Sequence, residues 1–151
     1  MQTEVHIPDE GAMRALGAGI AEVVRAGDVI ALRGGLGAGK TTLARGLLHA
    51  LGLVEEAPSP SFALVQPYDP PIVRLPVAHV DLYRLEDDAD IRELGLDDYM
   101  IDSLVIIEWP ERIGDRLWDH ALCLSIAVAD DGSRCLTAQV PDAWRDRWPP
   151  R

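Results

Sequence analysis

The sequence is short of several residue types, and each shortage excludes a class of protein. Asparagine is absent from the 151 residues, so the chain has no N-glycosylation site. Only two cysteines occur, Cys123 and Cys135, and their spacing is neither that of a C-x-x-C zinc or redox motif nor that of a disulfide framework. This cysteine usage fits a reduced cytosolic compartment.

Long apolar runs are missing as well. The longest nearly apolar segment, residues 121–129, is interrupted by Ser125 and is far shorter than the roughly 20 residues that span a bilayer. Residues 1–6 lack the basic and apolar regions of a signal peptide. We therefore expect a cytoplasmic protein with a single domain over residues 1–151, in which residues 141–151 form a peripheral tail.

Basic residues are few. The chain has 14 Lys and Arg against 25 Asp and Glu, which gives a formal net charge of -11. Such a surface repels phosphate backbones, so only a local basic patch would bind nucleic acid directly. The only lysine, Lys40, lies within a glycine-rich stretch.

That stretch, residues 34–41, matches the pattern G-x-x-x-x-G-K-[ST]. An apolar segment, residues 28–33, precedes it and an amphipathic helical pattern, residues 42–51, follows it, which is the strand-loop-helix context of a phosphate-binding loop. Glycines let backbone N–H groups surround a phosphate, and the helix N-terminus favours the same anion. Lys40 would then reach the β- and γ-phosphates of a nucleoside triphosphate, and the Thr41 hydroxyl would bind Mg²⁺. The predicted nucleotide-binding residues here are Gly35, Leu36, Gly37, Ala38, Gly39, Lys40, Thr41 and Thr42.

Two apolar segments end in carboxylates, Asp81 and Glu108. Ligands of α/β sheets gather at the carboxyl ends of strands, and phosphate-loop enzymes use an acidic residue there to hold Mg²⁺. One carboxylate would serve the metal, and the other would orient or deprotonate a nucleophile. Trp109 follows directly and packs either on the nucleotide or on the core.

A connection rich in proline and serine, residues 58–62, follows the loop helix. Pro58 and Pro60 disfavour a helix or a central strand and predict an extended segment. The hydroxyls of this segment, that of Ser61 among them, would approach the γ-phosphate or the metal, as switch loops do. The alternative is an ordinary turn without such a role.

The remaining patterns indicate an α/β, single-domain P-loop NTPase fold, with a mostly parallel central sheet, an antiparallel hairpin and helices on both faces. His79, within an apolar strand, is interpreted as a core residue. The other predicted elements are a strand at 5–7, a helix from Asp9 that ends at Gly27, strands at 63–68 and 72–80, short helices at 87–95 and 97–102, and an edge hairpin of 121–129 and 134–140. One face of the helix is interpreted as core, and a position of its start near the adenine is left open.

Several blocks together resemble the TsaE (YjeE) family. They are residues 34–43, 59–62, 79–85, 93–95 with Tyr99, and 107–109. The resemblance implies a bacterial ATPase needed for threonylcarbamoyladenosine in tRNA, which works with the transferase proteins TsaB and TsaD. It also implies that Thr41 and Glu108 are the Mg²⁺ ligands, that Lys40 and Asp81 assist hydrolysis, and that Trp109 lies near the nucleotide.

The chain departs from this family at Gly35, where members usually carry Asp. The general loop pattern leaves that position free, so nucleotide binding is still expected. Two alternatives stay open from the residues alone: a P-loop small-molecule kinase, and an interaction module that binds ATP without hydrolysing it.

Overall fold

One mixed β-sheet of seven strands runs through the protein. The computed structural model describes residues 1–150. The strands are β1 (Gln2–Ile7), β2 (Val29–Arg33), β3 (Val65–Tyr68), β4 (Val77–Asp81), β5 (Leu104–Glu108), β6 (Leu122–Val128) and β7 (Arg134–Gln139). They lie in the order β1-β7-β6-β2-β5-β4-β3, so the loop-bearing strand β2 is central.

Parallel pairing occupies the centre of this sheet. β2 pairs in parallel with β5 and with β6, and β4 pairs in parallel with β5. The antiparallel pairs are β3 with β4 on one side and β6, β7 and β1 on the other. The predicted mostly parallel sheet with an antiparallel hairpin is confirmed. The prediction that β6 and β7 close an edge is wrong, because β1 pairs with β7 and is itself the edge strand.

Helices cover both faces of the sheet, as predicted. They are α1 (Glu10–Ala21), α2 (Lys40–Ala50), α3 (Asp88–Glu93) and α4 (Leu96–Tyr99). Alternate strand residues point to opposite faces, so Ile30 and Leu32 pack in the core on the α1 and α2 side, whereas Val29 packs on the α3 and α4 side. Within residues 1–150, no helix combines the length and the apolar character needed to cross a membrane.

Helix α1 starts where the sequence predicts and ends earlier. Asp9 is its N-cap, and the Asp9 carboxylate accepts a backbone N–H of the first turn at 2.8 Å. The helix ends at Ala21 and does not continue to Gly27. The N–H groups of Glu22 and Val23 donate to carbonyls three residues back, at 3.2 and 3.0 Å, so the α-helical pattern stops there. A separate turn follows, in which Asp28 accepts the Arg25 N–H at 2.7 Å.

Strand β4 begins at Val77, later than predicted. The preceding residues form a turn in which the Ile72 N–H donates to the Asp69 carbonyl at 3.0 Å. Three prolines, at positions 70, 71 and 76, have no N–H to donate to a neighbouring strand. The hairpin of β3 and β4 is therefore present, with a shorter second strand.

The segment expected to be a peripheral tail packs into the core as far as residue 150 is described. Trp144 and Trp148 are both buried in the cluster beneath α1 and α2. The Trp148 Nε1–H donates to the Thr3 hydroxyl at 2.8 Å. Arg147 donates to both carboxylate oxygens of Asp28, at 2.7 and 3.0 Å. Both tryptophans therefore dock onto the protein's own core.

Candidate active site

The glycine-rich loop joins β2 to α2 in a conformation that only glycine adopts easily. The φ angles of Gly34, Gly37 and Gly39 are 151°, 77° and 117°. A Cβ at Gly34 would lie 2.8 Å from the Ile126 carbonyl, and a Cβ at Gly39 would lie 2.9 Å from a Met13 side-chain carbon. Gly39 caps α2 without a side-chain hydrogen bond, so the first N–H groups of this 11-residue helix remain available to an anion.

Lys40 is folded over its own loop. Its ammonium donates to the Gly34 carbonyl at 2.5 Å and lies 3.6 Å from the centroid of the Trp109 ring. Burial lowers the pKa of Lys40 below its usual value, and the nearby carboxylates of Glu108, Glu111 and Asp81 oppose that shift. Lys40 forms no ion pair with any carboxylate of residues 1–150.

The two predicted carboxylates meet at one edge of the sheet. β4 and β5 are parallel neighbours, and their register sets Asp81 directly opposite Glu108. Both side chains are buried beside the loop. The Thr41 hydroxyl donates to the Glu108 carboxylate, at 2.9 Å to Oε1 and 3.2 Å to Oε2. The structure therefore brings the two expected metal-binding residues into direct contact.

Asp81 ties the serine-containing segment to the sheet. Its Oδ1 accepts the Tyr83 N–H at 2.9 Å, and its Oδ2 accepts the Ser61 hydroxyl at 3.1 Å. The Ser59 and Ser61 hydroxyl oxygens are 2.8 Å apart. The switch-like segment thus lies at the site, as the sequence predicts.

The second half of this segment is not extended, and the alternative of an ordinary turn is the one observed there. It forms a turn, closed by the Leu64 N–H donating to the Pro60 carbonyl at 2.7 Å. Proline restricts its own φ and the residue before it, but residues 61–63 follow the last proline and are free to turn. The turn moves Ser61 back toward β4, where Asp81 binds it.

His79 has a role that sequence reasoning missed. It is buried, as a core residue would be, but its Nε2 lies 2.7 Å from Oε2 of Glu108. Residues 79 and 81 of β4 are two positions apart and share a face with Glu108 of the next strand. The signal that the sequence offers for this contact is a polar residue two positions before a carboxylate that ends a strand.

Trp109 forms the wall opposite the loop. Its backbone is left-handed, with φ at 61°, which is unfavourable for a bulky side chain and turns the chain sharply out of β5. The ring packs on Tyr83 with centroids 4.8 Å apart and an interplanar angle of 43°. The left-handed turn leaves the indole between Lys40 and the hydrophobic cluster on the α3 and α4 side, against which it is partly buried.

Two cavities adjoin the loop. The smaller, of about 190 Å³, is lined by residues 36–42 together with Ser59, Ser61, Asp81, Glu108 and Trp109. The larger, of about 350 Å³, lies between Gly37–Gly39, the start of α1 at Asp9 and Glu10, and Arg134. Among the predicted binding residues, Gly35 lines neither cavity, and a Cβ built on it would meet no atom within 4 Å.

Arg134 is a second residue that sequence reasoning missed. Its Nε donates to the Ala38 carbonyl at 2.9 Å and its Nη2 donates to the Gly37 carbonyl at 3.2 Å. A third donor, Nη1, binds the Gly132 carbonyl. Loop N–H groups that face inward leave their carbonyls facing outward, and Arg134 satisfies two of those carbonyls. No local pattern marks it, because Arg134 lies 97 residues beyond Gly37.

Comparison with known proteins assigns this geometry to a family. The family model described as "Threonylcarbamoyl adenosine biosynthesis protein TsaE" matches residues 7–136. The tRNA threonylcarbamoyladenosine biosynthesis protein TsaE of Streptomyces coelicolor is 41% identical over 121 residues, which cover 78% of this chain and 82% of that protein. The Bacillus subtilis protein of the same name is 36% identical over 118 residues, covering 78% of this chain and 72% of that protein.

A solved structure agrees with the sequence comparisons. The crystal structure of YdiB from Bacillus subtilis superimposes with a TM-score of 0.78. The match is 29% identical in sequence and covers 91% of this chain and 84% of YdiB. The resemblance expected from the motif blocks is confirmed by these matches.

Proposed function

Because this chain belongs to the TsaE family, we propose that it is a Mg²⁺-dependent ATPase of tRNA threonylcarbamoyladenosine biosynthesis. In this role it supports turnover of the transferase formed by TsaB and TsaD. It meets tRNA only through that complex, which agrees with a net charge of -11. It acts in the cytoplasm, where tRNA is modified.

The observation that carries the proposal is the contact between Thr41 and Glu108 at the start of α2. A hydroxyl and a carboxylate offer the oxygen ligands that Mg²⁺ prefers, and both stand beside a loop whose N–H groups suit a polyphosphate. The residues present therefore fit Mg²⁺. When bound, Mg²⁺ would neutralise charge on the β- and γ-phosphate oxygens.

The Lys40 ammonium changes its partners when the triphosphate binds. Its present partners are the Gly34 carbonyl and the face of Trp109, which a phosphate oxygen would outcompete as a charged acceptor. Moving from these partners to the β- and γ-phosphates also compensates the desolvation that now lowers the pKa of Lys40. The lysine thus binds the triphosphate more strongly than it binds its own loop.

Asp81 and Ser61 form the part of the site that responds to the γ-phosphate. Ser61 now donates its hydroxyl proton to Asp81. If Ser61 turns to donate to the γ-phosphate, Oδ2 of Asp81 is released and can orient a water molecule or take its proton. Oδ1 stays bound to the Tyr83 N–H, which keeps the carboxylate in place.

The nucleoside part of ATP fits the larger cavity. This cavity adjoins Gly37–Gly39 and is bounded by the start of α1 and by Arg134. Adenosine extending from loop-bound phosphates would enter it beside the start of α1. Trp109 stands on the opposite, γ-phosphate side, where it lines the smaller cavity.

ATP turnover measured with and without TsaB and TsaD tests the proposal. We expect slow phosphate release by the protein alone and a clear increase when both partners are added, in each case dependent on Mg²⁺. Transfer of the phosphate to a small-molecule acceptor would instead indicate a kinase. Equal support of complex formation by ATP and by a non-hydrolysable analogue, without phosphate release, would indicate an interaction module.

A further inference from the structure

The Glu108 carboxylate is held from two sides within the protein. Thr41 donates to it from α2, and the His79 Nε2 lies 2.7 Å from Oε2 on the side of β4. A carboxylate only accepts hydrogen bonds, so the histidine Nε2 must carry the donated proton. Both Glu108 and His79 are buried, and this contact is therefore made in a region of low dielectric constant.

The other nitrogen of the imidazole shows why a histidine stands there. Nδ1 of His79 is buried and has no hydrogen-bond partner within residues 1–150. A side chain that only filled the core would gain nothing from an unsatisfied polar atom, and an apolar residue would avoid its cost of roughly 1–3 kcal/mol. The bond from Nε2 to Glu108 is the interaction that compensates for it.

We propose that His79 is a positioning residue, which holds the Glu108 carboxylate in the orientation that binds Mg²⁺ with ATP. The inference rests on the function proposed above. With Oε2 bound by His79, rotation of the carboxylate is opposed, and Oε1 stays directed toward Thr41 at the start of α2. His79 itself touches neither the metal nor the nucleotide, and it acts only through Glu108.

The effect of Mg²⁺ on nucleotide affinity separates this role from a general packing role. Loss of a residue that orients a ligand of the metal weakens the apparent Mg²⁺ affinity about 10- to 100-fold. It leaves nucleotide binding in EDTA unchanged, because the loop and Lys40 contact the phosphates without Glu108. A packing defect would weaken nucleotide binding in EDTA as well.

Four variants make the test specific. His79→Leu removes the donor at similar volume, and His79→Gln keeps a donor at nearly the reach of Nε2. His79→Asn keeps a buried amide, but its side chain is too short to reach Glu108. Because it keeps a polar group in the core, it replaces His79→Leu if the leucine variant does not fold. His120→Leu is the control, because the His120 Nε2 contacts the Gly27 carbonyl at 3.0 Å, away from the loop.

The measurement is the dissociation constant of a fluorescent ATP analogue in EDTA and across a Mg²⁺ titration. We expect His79→Leu and His79→Asn to need about 10- to 100-fold more Mg²⁺ than the parent protein for the same gain in nucleotide affinity. We expect His79→Gln and His120→Leu to resemble the parent protein. Unchanged Mg²⁺ dependence in the leucine or asparagine variant would overturn the inference. An equal loss of nucleotide affinity in EDTA and in Mg²⁺ would overturn it as well. Absence of any Mg²⁺ effect in the parent protein would refute the proposed function itself, which is a separate outcome.

Discussion

Two groups of buried polar side chains lie at opposite ends of the strands, and they differ in how well the protein satisfies them. We call Asp28 and Arg147 the terminal clamp and the cluster of Lys40, Thr41, His79, Asp81 and Glu108 the loop cluster. In the clamp, Arg147 donates to both oxygens of Asp28 and to the carbonyls of residues 23 and 143, and it stacks 4.0 Å from the Trp144 ring centroid. Only its Nε is left without a partner within residues 1–150.

The loop cluster is satisfied much less completely. Lys40 is buried without an ion pair among the described residues, and its pKa is lowered by that burial. Nδ1 of His79 has no hydrogen-bond partner within residues 1–150. Breaking a buried ion pair that the protein satisfies affects the fold, whereas a buried ammonium without a carboxylate partner, such as that of Lys40, indicates a place for an anionic ligand. The contrast predicts stability effects at the clamp and functional effects at the loop cluster.

The largest expected effect is on stability, from Arg147→Ala. Removing one partner of a buried ion pair leaves the Asp28 carboxylate uncompensated and costs about 3–5 kcal/mol. Both side chains are less than a tenth exposed, at 8% and 9%. The free energy of unfolding, measured in urea, should fall by that amount, while ATP turnover per folded molecule stays unchanged.

Arg145→Ala is the matched control for this change. Arg145 pairs with Asp142 on the same segment, but its side chain is 70% exposed. We expect little change in the free energy of unfolding, because exposed ion pairs contribute little. Equal losses from the two arginine variants would contradict the contrast between the clamp and the surface.

Lys40→Ala should give the next largest effect, and on activity only. Loss of a charged donor to the triphosphate should lower ATP turnover about 100- to 1000-fold. Since the lysine is desolvated without an ion pair, its removal should not lower the melting temperature. Turnover and thermal unfolding measured on one preparation check both parts, and undiminished turnover would remove Lys40 from the site.

The sequence predicts those parts of the fold and site that depend on local patterns. The loop between residues 34 and 41 is bounded by a strand and a helix as expected, and Asp81 and Glu108 end their strands at one edge. Alternation within a strand shows which residues share a face. It does not show which strand lies next to it, so β1 was not recognised as the edge strand.

The residues that were missed depend on contacts between distant parts of the chain. Arg134 reaches the loop from 97 positions away, and His79 meets Glu108 only because β4 lies beside β5. Trp144 and Trp148 are four residues apart, a spacing that is compatible both with a docked turn and with contact to a partner. Their burial depends on the cluster formed with α1 and the sheet, which local spacing does not encode.

Arg134→Ala should weaken nucleotide binding about 10-fold, as a loop that is no longer preorganised must be ordered by the ligand. The Gly37 and Ala38 carbonyls would lose their donors, which leaves the N–H groups of the loop less fixed. Arg134→Lys should restore part of the affinity with a single donor group. The dissociation constant of ATP in EDTA is measured for both variants. Parent-like binding by the alanine variant would show that Arg134 does not contribute to nucleotide binding by the loop.

The lowered pKa of Lys40 gives a pH dependence of nucleotide binding with a defined sign. Phosphate binds the charged ammonium, so affinity is complete below the pKa of the free protein and falls as the pH rises through it. Bound triphosphate should raise the pKa of Lys40. Isotopic labelling of lysine gives a single side-chain NMR signal, because Lys40 is the only lysine. A titration curve of Lys40 that nucleotide does not shift would contradict the contact between Lys40 and the phosphates.

Gly35→Asp should have the smallest effect. A Cβ there meets no atom within 4 Å, and Gly35 is not among the residues with positive φ, so the free energy of unfolding should change by less than about 0.5 kcal/mol. The added carboxylate should slightly weaken ATP binding in EDTA through charge repulsion. The contrasting variant is Gly39→Ala, where φ is 117° and the Cβ would lie 2.9 Å from Met13, so both stability and binding should fall. A large loss from Gly35→Asp would mean that this loop depends on glycine at position 35.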